Sequence, residues 1–496
     1  MSHLPHFADR PHPIGTEANE RVRDYLIGAL RDLGAEVKIE QTIGLEAQGR
    51  FVRAGTVQNI LGTLRGSARS RAVMLVAHYD SVPEGPGAAD DGAGVSAILE
   101  VVRAVRAGPR LRNDLVVLFT DGEEAGLLGS AGFVADHPDL LHQVGLIINL
   151  EARGSAGPAL MFETSENNGE LVKDFAQAAP YPMASSLMVS VYKRMPNDTD
   201  LTVLKTTGAE ALNFAFIEKS QNYHTQLDTI SNLDPRSVQQ MGANALGLVR
   251  YFGNRPLGEE RKPDCIYFNW LGQRPLFLYP VWFGWFLAAL TLALCALGSF
   301  LPRGRGSARG ILAGAGLFFL LFLAMVSGML FAWRAILVLL GRAFLAGETL
   351  GSQCFFAGLV ALGLLCGSAV LLAARARFGW HSLGRGLVWM ASILAMVVLF
   401  VLPGGSYVGQ WPAFFGAVSL LFDQRDMRPI ARTAWALVSA GPALLVLVPL
   451  LYLFFVALGL SNVLMLAAAF LQTLFLTAAW PAVDLLCPSR RRPTRL

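Results

Sequence analysis

The stretch VMLVAHYDSVPEGPGAADDGAG, residues 73–94, sets His78, Asp80, Asp90 and Asp91 after an apolar run and around a Gly/Pro-rich loop. Three later stretches carry side chains of the same kind: LFTDGEEAGLLGS with Glu123 and Glu124, INLEARGS with Glu151, and NYHTQLDTISNLD with His224. Imidazoles and carboxylates without a thiolate form a nitrogen and oxygen donor set that suits zinc, and manganese or cobalt bind the same set. So many acidic groups need a counter-charge. No HExxH, G-x-S-x-G or Walker A pattern is present, so helix-borne zincin, serine-elbow and P-loop chemistries are not indicated.

Each piece alone has an ordinary structural reading. A histidine after a strand is commonly structural, and paired aspartates before a helix commonly cap it. DGEE reads by default as a solvated turn, and Glu151 could pair with Arg153. Their joint placement at strand ends favours a metal site instead.

The elements that must position them are legible as an alternation over residues 1 to about 255. ANERVRDYLIGALRDLG, GVSAILEVVRAV, LLGSAGFVAD and PRSVQQMGANALGLVRYF have helical periodicity, while AVMLVAH, DLVVLFTD, GLIINLE and ALNFAFIE read as buried strands. The pattern predicts an α/β domain with a mostly parallel mixed sheet covered by helices on both faces. Chemistry in such sheets gathers at the carboxyl ends of the strands. The polar residues after LVA, VLFT and LIINL fall there.

The 496-residue chain is 53% hydrophobic and 16% charged, too apolar for a wholly soluble protein. After Leu276 there are four acidic residues against fifteen arginines, so the formal +4 divides into about −7 for the first part and +11 for the second. The basic excess therefore speaks to membrane topology, and no nucleic-acid partner is expected. Seven apolar runs are expected to span the bilayer: Leu276–Leu301, Ile311–Trp333, Cys354–Ala373, Leu387–Leu402, Ser406–Phe422, Ala434–Val456 and Asn462–Ala482. The fourth and fifth are short for that task. The domain plan is residues 1–258 as a soluble head, 259–275 as a linker and 276–496 as an all-α membrane domain of about seven helices.

Thirteen arginines follow the odd-numbered runs and two the others, which predicts a cytoplasmic C-terminus and a head on the non-cytoplasmic side. Failure of one short run to span would switch the later clusters. Nothing before Leu276 resembles an export signal, so an upstream span missing from this N-terminus is expected. Of five cysteines only Cys265 precedes the apolar half, so the head has no internal disulfide and no cysteine-based zinc site.

His78-x-Asp80-Ser81 with Asp90-Asp91-Gly92, then Asp121-Gly122-Glu123-Glu124-x-Gly126-Leu127-x-Gly129-Ser130, Asn149-Leu150-Glu151, and Tyr223-His224-Thr225 with Asp228-Thr229 together carry a family likeness. The set resembles the di-zinc metallopeptidase family of aminopeptidase Y and glutamate carboxypeptidase. The apolar half makes it most similar to the membrane branch, the vacuolar membrane protease and endoplasmic reticulum metallopeptidase group. The resemblance implies two Zn2+ per chain bridged by Asp90, one also held by His78 and Glu151, the other by Glu124 and His224. It implies Glu123 as general base, Tyr223 as donor to the developing oxyanion, and Asp80 as acceptor from the second ring N–H of His78. Asp198 in NDTD resembles the family's Ser-Asp segment and is expected as a further outer support. Soluble members usually have Asp where this chain has Glu151.

A shared water acidified by two cations fits this set, and a peptide or protein substrate and a lipid bilayer are the expected partners. The expected reaction is peptide-bond hydrolysis, with removal of N-terminal residues foremost. The alternatives are a single-zinc glutaminyl-peptide cyclase, a non-catalytic receptor or scaffold, and a transporter with an accessory head. Retention of the full ligand set and the near absence of charge within the apolar runs argue against them.

Overall fold

In the computed structural model, residues 1–421 are described apart from 49–50, 69, 259–260, 271–272, 301–306 and 341–348; beyond 421 it describes 428, 430–431, 434–435, 437–438, 441 and 443–459. The chain divides into a head, Met1–Asn269 with Gln273–Leu278, and a helical unit from Tyr279 onward.

The head is built on a seven-stranded sheet in the order β1-β2-β4-β3-β5-β7-β6. Its centre is parallel: β3 (Ala72–His78), β4 (Leu115–Thr120), β5 (Val144–Ala152) and β7 (Glu210–Phe216). The flanks are antiparallel: β2 (Phe51–Leu64) beside β4, β1 (Glu36–Gln48) beside β2, and β6 (Leu160–Thr164) beside β7. The expected mixed sheet forms, parallel at its centre, with three of its six pairings antiparallel.

The apolar runs are continuous because both faces are covered. Along β3, Val73, Leu75 and Ala77 enter one core with the helices Glu17–Asp32, Gly92–Arg106 and Pro235–Phe252, while Met74 and Val76 enter the opposite core with Phe133 and Leu201. Truncating Leu75, fully buried, to alanine would cost about 2–5 kcal/mol at such a site. Side-chain caps stop the helices where the chain turns to the site. Thr16 accepts from Asn19 N–H, Asp91 from Gly94 N–H and Asp234 from Arg236 N–H.

One expected boundary is corrected. Much of the expected linker 259–275 is strand: β8 (Cys265–Trp270) pairs with β9 (Gln273–Pro280), and Ile266 and Tyr267 are buried in the head. Their apolar side chains complete the core, which is why the head extends past residue 258.

Among the described residues of the second unit, four helices are long and apolar enough to cross a membrane: Val281–Ser299, Ala308–Leu339, Leu350–Phe378 and Ser382–Val401. The first begins later than its apolar run because Gln273–Pro280 is strand. The fifth expected span is corrected. It folds as the 13-residue helix Tyr407–Ser419 with Pro412 inside, about 20 Å long against a hydrocarbon thickness of ~30 Å. With that run too short, the tally of arginine clusters no longer fixes the side of the C-terminus. The sixth run is described as the shorter apolar helix Ala443–Gly459, and the seventh lies outside the described residues.

Candidate metal centre

The strand ends deliver the donors. His78 is the last residue of β3 and pairs with Thr120 at the end of β4, after which Asp121–Glu124 turn outward. Glu151 lies one residue before the end of β5, and the loop after β7 carries Tyr223 and His224. Asp90 stands just before Asp91, the N-cap of the helix Gly92–Arg106.

These residues converge into two triads with a common member. His78, Asp90 and Glu151 form one, and Asp90, Glu124 and His224 the other, each with ligand atoms within 4.8 Å of one another. His78 Nε2 lies 3.3 Å from Asp90 Oδ1 and 3.7 Å from Glu151 Oε2. His224 Nε2 lies 3.1 Å from Asp90 Oδ2 and 3.1 Å from Glu124 Oε2. Asp90 therefore turns a different oxygen toward each triad.

The surroundings hold this geometry. Asp228 accepts from Ala89 N–H at 2.7 Å and Asp90 N–H at 3.1 Å, fixing the backbone that carries the shared carboxylate. Gly85 lets the chain close there, since a Cβ would stand 2.4 Å from the Thr225 carbonyl oxygen. His224 adopts φ of 56°, in the left-handed region that a non-glycine residue enters only when its surroundings dictate it. Its ring stacks on Tyr223 at 3.7 Å. Asn149 donates to Glu151 Oε1 at 3.2 Å and to Asn213 at 3.1 Å, steering the carboxylate from behind.

Two outer-shell expectations change. His78 Nδ1 is 3.0 Å from the main-chain carbonyl of Asp80, while the Asp80 carboxylate is farther, at 3.6 Å. That carboxylate instead accepts from Glu123 N–H at 3.0 Å and Glu124 N–H at 3.2 Å, so Asp80 locks the turn bearing both glutamates. Asp198 is exposed, and its neighbour Asp200 is the buried one. Asp200 accepts from the Thr120 hydroxyl, and its other oxygen is buried without a partner. Asp200, Asp228 and Asn149 carry supporting roles that the sequence reading did not assign. Asp200 shares NDTD with Asp198, and only the helix start at residue 200 tells which one turns inward.

The electrostatics describe a site short of positive charge. Burial, then the charge of Asp90, pushes Glu124 up to about 7. Burial, outweighing the help of His78, pushes Glu151 up to about 8. Burial also raises Glu123 well above the usual carboxylate range. Asp90 resists its own burial because the His224 and His78 imidazoles lie against its two oxygens, and falls to about 2. His224 overcomes burial through Asp90 and Glu124 and rises to about 10.

The donor set fits divalent metal: nitrogen and oxygen atoms only, an excess of carboxylates, and the buried Glu124 Oε1 and His224 Nε2 without hydrogen-bond partners. Metal ligation requires these groups deprotonated, so affinity for zinc is expected to rise with pH. Between pH 6 and 7 the gain should exceed ~10-fold per pH unit, read by competition with a chromogenic chelator. Metal-free protein should behave oppositely. The raised folded-state values of Glu124, Glu151 and His224 give stability that is lost as pH rises from about 5 toward 8 and beyond. Thermal melting of the chelated chain across that window checks the sign.

A parallel-centred sheet presenting two triads of nitrogen and oxygen donors at its strand ends defines an α/β metal-binding domain. Residues 59–249 match the model of Peptidase family M28, in agreement with the family resemblance read from the sequence. The chain is 31% identical over 279 residues to the vacuolar membrane protease of Candida dubliniensis, covering 54% of this chain and 30% of that one. It is 35% identical over 209 residues to endoplasmic reticulum metallopeptidase 1 of Rattus norvegicus, covering 40% of this chain and 23% of that one. The chain thus spans less than a third of the length of these relatives. Among solved structures, an aminopeptidase from Aneurinibacillus sp. strain AM-1 aligns at 15% identity over 53% of this chain and 95% of that one, with a TM-score of 0.42.

Proposed function

We propose that the chain is a membrane-anchored metallopeptidase that hydrolyses peptide bonds at a pair of zinc ions, removing N-terminal residues. The observation that carries the reading is Asp90, whose two oxygens face two different triads. A carboxylate in that position serves two cations at once and offsets the charge of both. His78 and Glu151 would complete one site, Glu124 and His224 the other. When bound, such a pair polarises a carbonyl and makes water acidic near neutral pH.

The protein's own groups do the rest. Glu123 is held by the Asp80 clamp on its backbone, beside Glu124 but outside both triads. Its raised affinity for a proton suits a base that takes a proton from water and returns it to the leaving amine. Tyr223, half-buried and stacked on His224, keeps its phenol protonated and able to donate to the oxygen that gains charge. Its ring also covers one face of the His224 imidazole.

Incubating the purified chain with a peptide mixture is expected to trim N-termini, with activity abolished by 1,10-phenanthroline and restored by zinc. Trimming that survives the chelator, or no cleavage by metal-loaded protein, would remove the reading. The four apolar helices support anchoring in a bilayer. The arginines after the first of them, Arg303, Arg305 and Arg309, support a head on the non-cytoplasmic side whatever the later helices do. In sealed inside-out vesicles the head should resist added protease; digestion there would reverse the orientation.

A further inference from the structure

Arg153 follows β5 two residues after Glu151. Its backbone N–H donates to the Phe216 carbonyl at 3.0 Å, and a Cβ on Gly154 would stand 2.2 Å from the Glu218 carbonyl oxygen, so the segment is pinned against the chain leaving β7. The side chain is half-buried, with its guanidinium 6.0 Å from the centre of the Tyr223 ring. That ring stacks on His224 at 3.7 Å. Laid end to end, these steps put the guanidinium within about 10 Å of a ligand imidazole, roughly the reach of two to three extended residues.

Among the described residues, no carboxylate pairs with Arg153, although Asp90, Glu123, Glu124 and Glu151 gather nearby. The carboxylates are committed to the triads and their supports, and the guanidinium is parked over an aromatic face. Arginine presents a flat fork that matches a carboxylate in two parallel hydrogen bonds. It also offsets the repulsion that an acidic site would exert on an anionic substrate.

We propose that Arg153 binds the terminal carboxylate of a short peptide whose scissile bond lies at the metal centre, making dipeptides and similarly short peptides the preferred substrates. A free carboxylate one to two residues beyond the cleaved carbonyl stands about 3.3–7.2 Å farther along an extended chain, and a charge-assisted contact of ~2.7–2.9 Å then covers a span of up to about 10 Å to the guanidinium. A longer peptide passes the same point with a neutral amide and forgoes that contact. The proposal rests on the peptidase reading for the place of the scissile bond, and its test is a binding measurement so that the two can fail separately.

The full chain, zinc-loaded and carrying Glu123→Gln to prevent turnover, is titrated calorimetrically with alanyl-alanine and with alanyl-alanine amide. The acid should bind at least ~10-fold more tightly than the amide. Adding Arg153→Gln should abolish that preference, and Arg153→Lys should retain part of it. Equal binding of acid and amide, or a preference that survives Arg153→Gln, would overturn the assignment. So would an Arg153-dependent preference for alanyl-glutamate amide over alanyl-glutamine amide without one for the free dipeptide, since the side-chain carboxylate would then be the group recognised. Lack of turnover by the unmodified chain would sink the peptidase reading while leaving this result intact.

Discussion

Asp90→Ala is expected to lose both bound metal ions and peptidase activity together. The substitution removes one oxygen from each triad, leaving His78 with Glu151 and Glu124 with His224. Two ligands hold zinc far less tightly than three, and the charge that offset both cations is gone. Metal content of the purified variant should fall to a small fraction of the parent's, and kcat/KM by ~10^4-fold or more. His224 also loses the first of the carboxylates that favour its protonated form, and His78, raised by Asp80 and then Asp90, loses the second. Full metal content in this variant would show that Asp90 does not bridge.

Glu123→Gln separates the base from the ligands. Glutamine keeps the shape and the backbone contact with Asp80 but cannot accept a proton at working pH. Since Glu123 belongs to neither triad, metal content should stay at the parent level. The rate should fall ~10^2–10^4-fold, equivalent to about 3–5.5 kcal/mol in the barrier. The loss should sit in kcat, with KM changing little, because the base acts as the bond breaks. Unchanged turnover would assign the proton to another group.

Much of the head was legible because its signals are local. The run AVMLVAH forms β3 over the same residues, since burial on both faces lets every position be apolar. Of the proposed ligands, His78, Glu124 and Glu151 stand out because they lie at or just past the ends of such runs, while Asp90 and His224 sit in loops and are marked only by residue type. The edges were not legible. β1 and β2 alternate polar with apolar residues, and Ile43, Leu45 and Val52 stay exposed, so their existence depends on pairing with each other rather than on a local pattern. Choosing Asp200 over Asp198 needed the start of one short helix. Choosing the Asp80 carbonyl over its carboxylate needed the turn that Glu123 and Glu124 make. The fifth apolar run had the composition of a span but folds as too short a helix to be one. Composition reports what a segment tolerates, while length and partners are set by the rest of the chain.

The most direct test is a count of ions. Elemental analysis of the detergent-purified chain, saturated with zinc and desalted, should give two ions per polypeptide, and anomalous scattering should place them on either side of the Asp90 carboxylate. One ion per polypeptide at saturation, or a second lying away from His78 and Glu151, would contradict the paired-metal account.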